Sequence, residues 1–144
     1  MDIDPKWLSR MNRAVPRYTS YPTAPQFRPV DESLYKAHLA RVGNEPVSLY
    51  IHLPFCRTMC LFCGCSTVLN RRPERQTLYL DWLLHEIALV SELVKAPISQ
   101  LHLGGGTPTS LTIAEFDLLL SSLYRSFSFE ETAELSIEID PRTV

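Results

Sequence analysis

Outside residues 56–65 the sequence contains no cysteine. All four thiols, Cys56, Cys60, Cys63 and Cys65, lie inside the ten-residue stretch CRTMCLFCGC. No apolar run approaches the length of a membrane span, so no membrane partner is expected. There is no basic excess either. The net charge is −2 and the isoelectric point about 6.1, which argues against a phosphate-backbone partner and hence against nucleic acid. The first residues, MDIDPKWLSR, carry acids where a secretory signal needs bases, and no apolar core follows them. The expected location is cytoplasmic, a reducing compartment in which clustered thiols read as metal ligands sooner than as disulfides. Internal repeats and low-complexity tracts are also absent. What remains is ordinary for a folded protein: 144 residues, 45% hydrophobic and 21% charged, enough for one domain with a real core.

Residues 1–45 read as a helical and proline-rich extended segment. Five of the eleven prolines fall within residues 1–30, and PRYTSYPTAPQFRP has neither helical nor strand periodicity. A short helix is predicted at 5–12. A second is predicted at 31–43, with Asp31 at its start and Gly43 at its stop. From residue 46 strands and helices alternate. VSLYIHL (47–53) alternates apolar and polar as a strand does. Residues 74–95 place Leu80, Leu83, Leu84, Ile87, Val90 and Val94 on one helical face. ISQLHL (98–103) is a second strand and GGGTPTS its turn. Thr112 and Glu115 form a capping-box signature for a helix bearing Ile113, Phe116, Leu120, Leu123 and Phe127. ELSIEID (134–140) is the third strand.

Strand, helix, strand, helix, strand predicts an α/β fold with parallel pairing and right-handed crossovers. Buried parallel strands normally read as continuous apolar runs, and these do not. With Val47, Leu49, Ile51 and Leu53 toward the helices, Ser48, Tyr50 and His52 point the other way. The same parity gathers Gln100, His102, Ser136, Glu138 and Asp140 on that second face. A shared polar face fits the wall of a ligand-holding barrel lumen; a half-solvated sheet in an α+β domain is the alternative. A complete eight-stranded barrel needs about 250 residues, so residues 46–144 are expected to be the first part of a longer, incomplete barrel.

The cysteine spacing is C-x3-C-x2-C-x-C. Structural zinc usually draws on two separate cysteine knuckles, and no second knuckle exists, although a small zinc module stays open as a reading. An iron–sulfur cluster accepts a tighter run, because it is large and its irons are reached from one loop. Cys56, Cys60 and Cys63 fit such a loop. Cys65 is awkward as a fourth ligand. Three protein ligands would leave one iron open, and open metal positions go with chemistry.

C-x3-C-x-aromatic-C after a first strand, with Phe62 as the aromatic, resembles the signature of the radical S-adenosylmethionine superfamily. More narrowly, PRYTSYPTA, YIHLPFC, CLFCGC, QLHLGGGTPT and ELSIEIDPR resemble the oxygen-independent coproporphyrinogen III oxidases (dehydrogenases) of haem biosynthesis, in that order and spacing. The resemblance covers the chain from about Trp7 to its end. The haem chaperones of the same superfamily, a binding rather than an enzymatic alternative, generally lack PRYTSYPTA and Cys65. The resemblance implies a truncated radical S-adenosylmethionine core barrel. It also implies a 4Fe–4S cluster on Cys56, Cys60 and Cys63, whose open iron is chelated by S-adenosylmethionine. Reductive cleavage would give a 5′-deoxyadenosyl radical that takes hydrogen from a propionate of coproporphyrinogen III. Loss of CO2 and one electron would leave a vinyl, and two such events give protoporphyrinogen IX. Two S-adenosylmethionine molecules are implied, Tyr50, Gly105 and Glu138 matching contacts to the first and Phe62, Gly106 and Thr107 to the second. An electron donor and acceptor are implied without being identified, and the isolated chain is expected to be inactive alone.

Outside that list, His52 and His102 face the predicted lumen and read as satisfied interior histidines. Arg71, Arg72 and Arg75 read as a solvated helix start. Lys6, Arg10, Arg13 and Arg17 pose a choice between solvent and substrate, with the N-terminal arm a candidate clamp for substrate carboxylates.

Overall fold

The computed structural model describes residues 5–12 and 23–143. The chain divides into two units, Met1–Glu32 and Ser33–Val144. In the first, helix α1 (Pro5–Met11) opens on a proline, and the Arg10 guanidinium lies 5.6 Å from the Trp7 ring centroid. A 3₁₀ turn follows at Ala24–Gln26, closed by the Gln26 N–H on the Thr23 carbonyl at 2.8 Å. This departs from the extended reading, because a proline φ suits 3₁₀ geometry as well as extended chain. The PRYTSYP part of that reading, with Arg13 and Arg17, lies outside the described residues.

Helix α2 (Glu32–Ala40) stops before Gly43, whose φ of 65° few other residues adopt cheaply. The rest is βαβαβ. Strand β1 (Val47–Leu53) is followed by two-residue strands β2 (Phe55–Cys56) and β3 (Val68–Leu69), then by helix α3 (Pro73–Leu93). Strand β4 (Ile98–Gly105), a 3₁₀ turn (Pro108–Ser110), helix α4 (Ile113–Ser126) and strand β5 (Phe129–Ile137) complete it. Among the described residues β1, β4 and β5 form a three-stranded sheet in that order, and both pairings are parallel. This is the α/β arrangement expected for the start of a barrel.

One face of the sheet carries the core. Ile51, Leu53, Ile98, Leu101 and Leu103 pack with Leu80, Leu83 and Ile87 of α3 and Leu119 and Leu123 of α4. The register shifts at Ser99, the extra residue of a bulge in β4. That shift turns Ile98 toward the core although Gln100 and His102, at the same parity, face away. The inward residues are Phe116, Leu119, Leu120 and Leu123 of α4, with Phe127 at its C-terminal cap. Leu119 is fully buried, whereas Ile113, expected on that face, is 84% exposed in the first turn. The capping box at Thr112 forms: its hydroxyl accepts from the Glu115 N–H while Glu115 accepts from the Thr112 N–H.

The third strand begins and ends earlier than expected. It runs from Phe129, and Glu138 and Asp140 lie beyond its end. Ile98 N–H donates to the Ser128 carbonyl, so pairing with β4 starts at once after α4.

Candidate functional site

The cysteine loop leaves the top of β1 and returns alongside itself. Phe55–Cys56 and Val68–Leu69 pair in parallel, through Val68 N–H on the Pro54 carbonyl and Asn70 N–H on the Cys56 carbonyl, both at 2.8 Å. The turn after β4 docks on the loop's entry. Gly106 N–H donates to Leu53 at 2.8 Å and Thr107 N–H to Phe55 at 2.9 Å. A Cβ on Gly106 would fall 2.7 Å from the Pro54 carbonyl carbon, so only glycine lets the two backbones approach this closely.

All four cysteines are free thiols; Cys56 is buried and the other three are exposed. Thr107 Oγ1 donates to Cys56 Sγ at 3.5 Å, and Cys63 Sγ lies 3.7 Å from Thr67 Oγ1. Hydrogen bonds from the Cys65 backbone and then from Thr67 push the Cys63 thiol pKa down. Charge on Cys63 is the first cause of the opposite, upward push on Cys65. The two neighbours are thus driven apart, Cys63 toward thiolate and Cys65 toward thiol.

Cys56, Cys60, Cys63 and Cys65 share one cavity of about 380 Å³ with Phe62, Gly105, Gly106, Thr107 and Glu138. Eight of the nine expected site residues therefore meet there, and Tyr50 stands just below. Its hydroxyl lies 3.0 Å from His52 Nδ1. Burial first, and then the charge of Glu138, raise the Tyr50 pKa. Glu138 accepts the Gly105 N–H at 3.0 Å. Phe62 is fully exposed at the loop tip.

Among the described residues, no three or more His, Cys, Asp or Glu side chains are gathered closely enough to hold a metal ion. An iron–sulfur cluster poses a different demand, since its irons are separated and each takes its own thiolate. Three free thiols on one loop, lining one cavity beside close-approach glycines, fit that donor set.

A larger hollow, about 690 Å³, lies behind the loop and is lined by Arg57, Arg71, Arg72, Gln76 and Glu115. It shares Cys56 with the cysteine cavity but none of the other thiols.

The residues underrated in the sequence are His52 and His102. His52 Nε2 lies 2.8 Å from the Ser66 carbonyl oxygen, so this ring joins β1 to the far end of the cysteine loop. His102 stacks on Tyr50. Strand parity had already put both beside the site; what one sequence could not show was that their partners are site residues. No helix among the described residues is long and apolar enough to cross a membrane.

Comparison with known proteins gives one consistent answer. Oxygen-independent coproporphyrinogen III oxidase of Escherichia coli (strain K12) is 42% identical over 146 aligned positions, covering 100% of this chain and 32% of that protein. A protein of the same name from Mannheimia haemolytica is 40% identical over 137, covering 93% of each. A solved structure of coproporphyrinogen III oxidase from Escherichia coli, described as a radical SAM enzyme, superposes with a TM-score of 0.85 at 40% identity. That match covers 99% of this chain and 32% of the other. The chain spans about a third of the length of the first curated relatives it matches. No protein-family model matches it.

Proposed function

Because the chain belongs to the family of oxygen-independent coproporphyrinogen III oxidases, we propose that it forms the cofactor-binding part of a radical S-adenosylmethionine enzyme. The reaction is oxidative decarboxylation of two propionates of coproporphyrinogen III. Each loses a hydrogen atom, CO2 and one further electron to become a vinyl, giving protoporphyrinogen IX in haem biosynthesis. The electron donor and acceptor come from outside the chain.

Cys56, Cys60 and Cys63 hold a 4Fe–4S cluster in this reading, and Cys65 does not. When bound, the cluster together with S-adenosylmethionine would supply the radical chemistry that removes a hydrogen atom from the propionate. The chain's own residues bind and orient. Gly105 N–H fixes one oxygen of Glu138, leaving the carboxylate beside Tyr50 to receive the first S-adenosylmethionine. Phe62, Gly106 and Thr107 are assigned to the second. Thr107 also donates to Cys56 Sγ, and a hydrogen bond to a cluster sulfur is one of the protein's means of setting reduction potential.

The observation that carries this reading is the single cavity joining the four thiols to the glycine turn and Glu138. Anaerobic reconstitution with iron and sulfide tests it, read by the visible absorption of iron–thiolate charge transfer. Cys56→Ser, Cys60→Ser and Cys63→Ser each abolish the band, and Cys65→Ser keeps it. Equal loss in all four variants refutes the open iron, and a colourless zinc-loaded protein refutes the cluster.

A further inference from the structure

The polar side of the sheet gathers three side chains over one glycine, and one of them has no role in the reading above. His102 sits in the middle strand, flanked by a partner on each side. Its Nδ1 pairs with Ser136 Oγ on β5 at 2.7 Å. Its ring stacks on Tyr50 of β1, with centroids 5.7 Å apart and planes 13° from parallel. Its Nε2 lies 3.6 Å from Glu138 Oε1, and the other oxygen of that carboxylate accepts the Gly105 N–H. A Cβ on Gly104 would lie 2.9 Å from His102 Nε2, 3.0 Å from Tyr50 Cε2 and 3.1 Å from the Glu138 carboxyl carbon. Gly104 is therefore the recess in which the three side chains meet.

The His102 and Glu138 side chains are 39% and 49% exposed. At that exposure solvent screens their charge interaction heavily. The arrangement must act through stacking, the Ser136 contact and the shared recess.

We propose that His102 is a positioning residue: it holds the Tyr50 ring and the Glu138 carboxylate in the orientation that receives S-adenosylmethionine. What those residues receive rests on the cofactor reading above; the positioning rests on the geometry alone.

The test uses the full 144-residue chain. Without cofactors, amide hydrogen exchange by nuclear magnetic resonance reads the Gly105 N–H, which reports whether Glu138 is held. His102→Ala speeds exchange at Gly105 about tenfold, the loss of one well-made hydrogen bond to a charged group. The Leu101 amide in the same strand keeps its protection, showing an intact fold. His102→Gln, whose planar amide can lie against the Tyr50 ring and bond the Ser136 hydroxyl, retains part of the Gly105 protection. Ser136→Ala, a gentler change, moves Gly105 in the same direction by a smaller factor. Parent-like Gly105 exchange in both His102→Ala and Ser136→Ala overturns the inference, as does a His102→Gln indistinguishable from His102→Ala.

After reconstitution, the S-adenosylmethionine dissociation constant rises about tenfold in His102→Ala by equilibrium dialysis. An unchanged constant beside faster Gly105 exchange also overturns the positioning role. If the reconstituted parent takes up no S-adenosylmethionine while Gly105 still answers to His102, the cofactor reading fails and the positioning stands.

Discussion

Replacing Gly105 by alanine tests whether the glycine turn is held as tightly as its contacts imply. Gly105 has φ 116°, a region that costs a residue with a side chain roughly 1–3 kcal/mol. The new Cβ would also stand 2.7 Å from His52 Cε1 and 2.8 Å from Nδ1. That ring has little freedom to retreat, because Tyr50 OH holds Nδ1 at 3.0 Å and the Ser66 carbonyl holds Nε2 at 2.8 Å. Swinging it away gives up both contacts, at about 1 kcal/mol each. The expected loss is roughly 3–5 kcal/mol, a large share of the ~5–15 kcal/mol that holds a domain together. Gly64, between Cys63 and Cys65, is the matched control. Nothing lies within 4 Å of its Cβ position, so Gly64→Ala should stay within about 0.5 kcal/mol of the parent. Urea titrations followed by far-ultraviolet circular dichroism measure both, with equal slopes required for the comparison. A Gly105→Ala chain within about 1 kcal/mol of the parent, or a Gly64→Ala chain as unstable as Gly105→Ala, refutes the reasoning.

Leu119→Ala should cost about 2–5 kcal/mol in the same titration, since it empties a fully buried site. Ile113→Ala, in the first turn of the same helix and exposed, should cost under about 0.5 kcal/mol; reversed values would put the inward face of α4 elsewhere. Thr112→Ala removes the capping box and should cost about 1 kcal/mol, and no loss would show that the cap is idle. Asp140, bonded by the Arg142 side chain and backbone N–H, has its pKa lowered from 3.8 to about 2. Because the folded value is the lower one, its contribution is present above about pH 3.8 and disappears as pH falls toward 2. Carbon-detected titration should find that low midpoint and see it return to the ordinary carboxylate range in Arg142→Gln; an ordinary midpoint in the parent would mean the pair does not form.

Much of this was legible because it rests on side-chain period. The alternation in VSLYIHL announced two faces, and both are found: Ile51 and Leu53 are buried while Ser48 and Tyr50 are exposed. The capping box was readable because two side chains at fixed spacing make it. What escaped rests on backbone or on tertiary context. The Phe55–Cys56 and Val68–Leu69 pairing is made by main-chain groups alone and leaves no pattern in so short a run. The start of β5 was hidden by FEETAE, whose glutamates do not read as a strand. Among the described residues β5 lies at the edge of the sheet, a place where such residues are tolerated. The Ser99 bulge escaped as well, since no residue type demands it.

The bulge is also what lets one sheet serve two purposes. Parallel pairing sets Ser48 beside Gln100 and Glu134, Tyr50 beside His102 and Ser136, and His52 beside Gly104. Each row is about two residues, or ~6.6 Å, above the last. The lowest row closes on itself, Ser48 Oγ donating to Gln100 Oε1 at 2.8 Å and Gln100 Nε2 to Glu134 Oε2 at 3.3 Å. The second is the Tyr50–His102–Ser136 stack. In the third the middle position is a glycine, and side chains from the row below and from Glu138 converge on the space it leaves. The polarity therefore rises toward the cysteine loop as a filled ladder with one deliberate gap at its top. An in-register sheet without the bulge would turn Ile98 onto this polar face and take it out of the core. One inserted residue thus keeps the apolar layer continuous beneath α3 and α4 while the opposite face stays polar up to the rim, where the thiols and Glu138 meet.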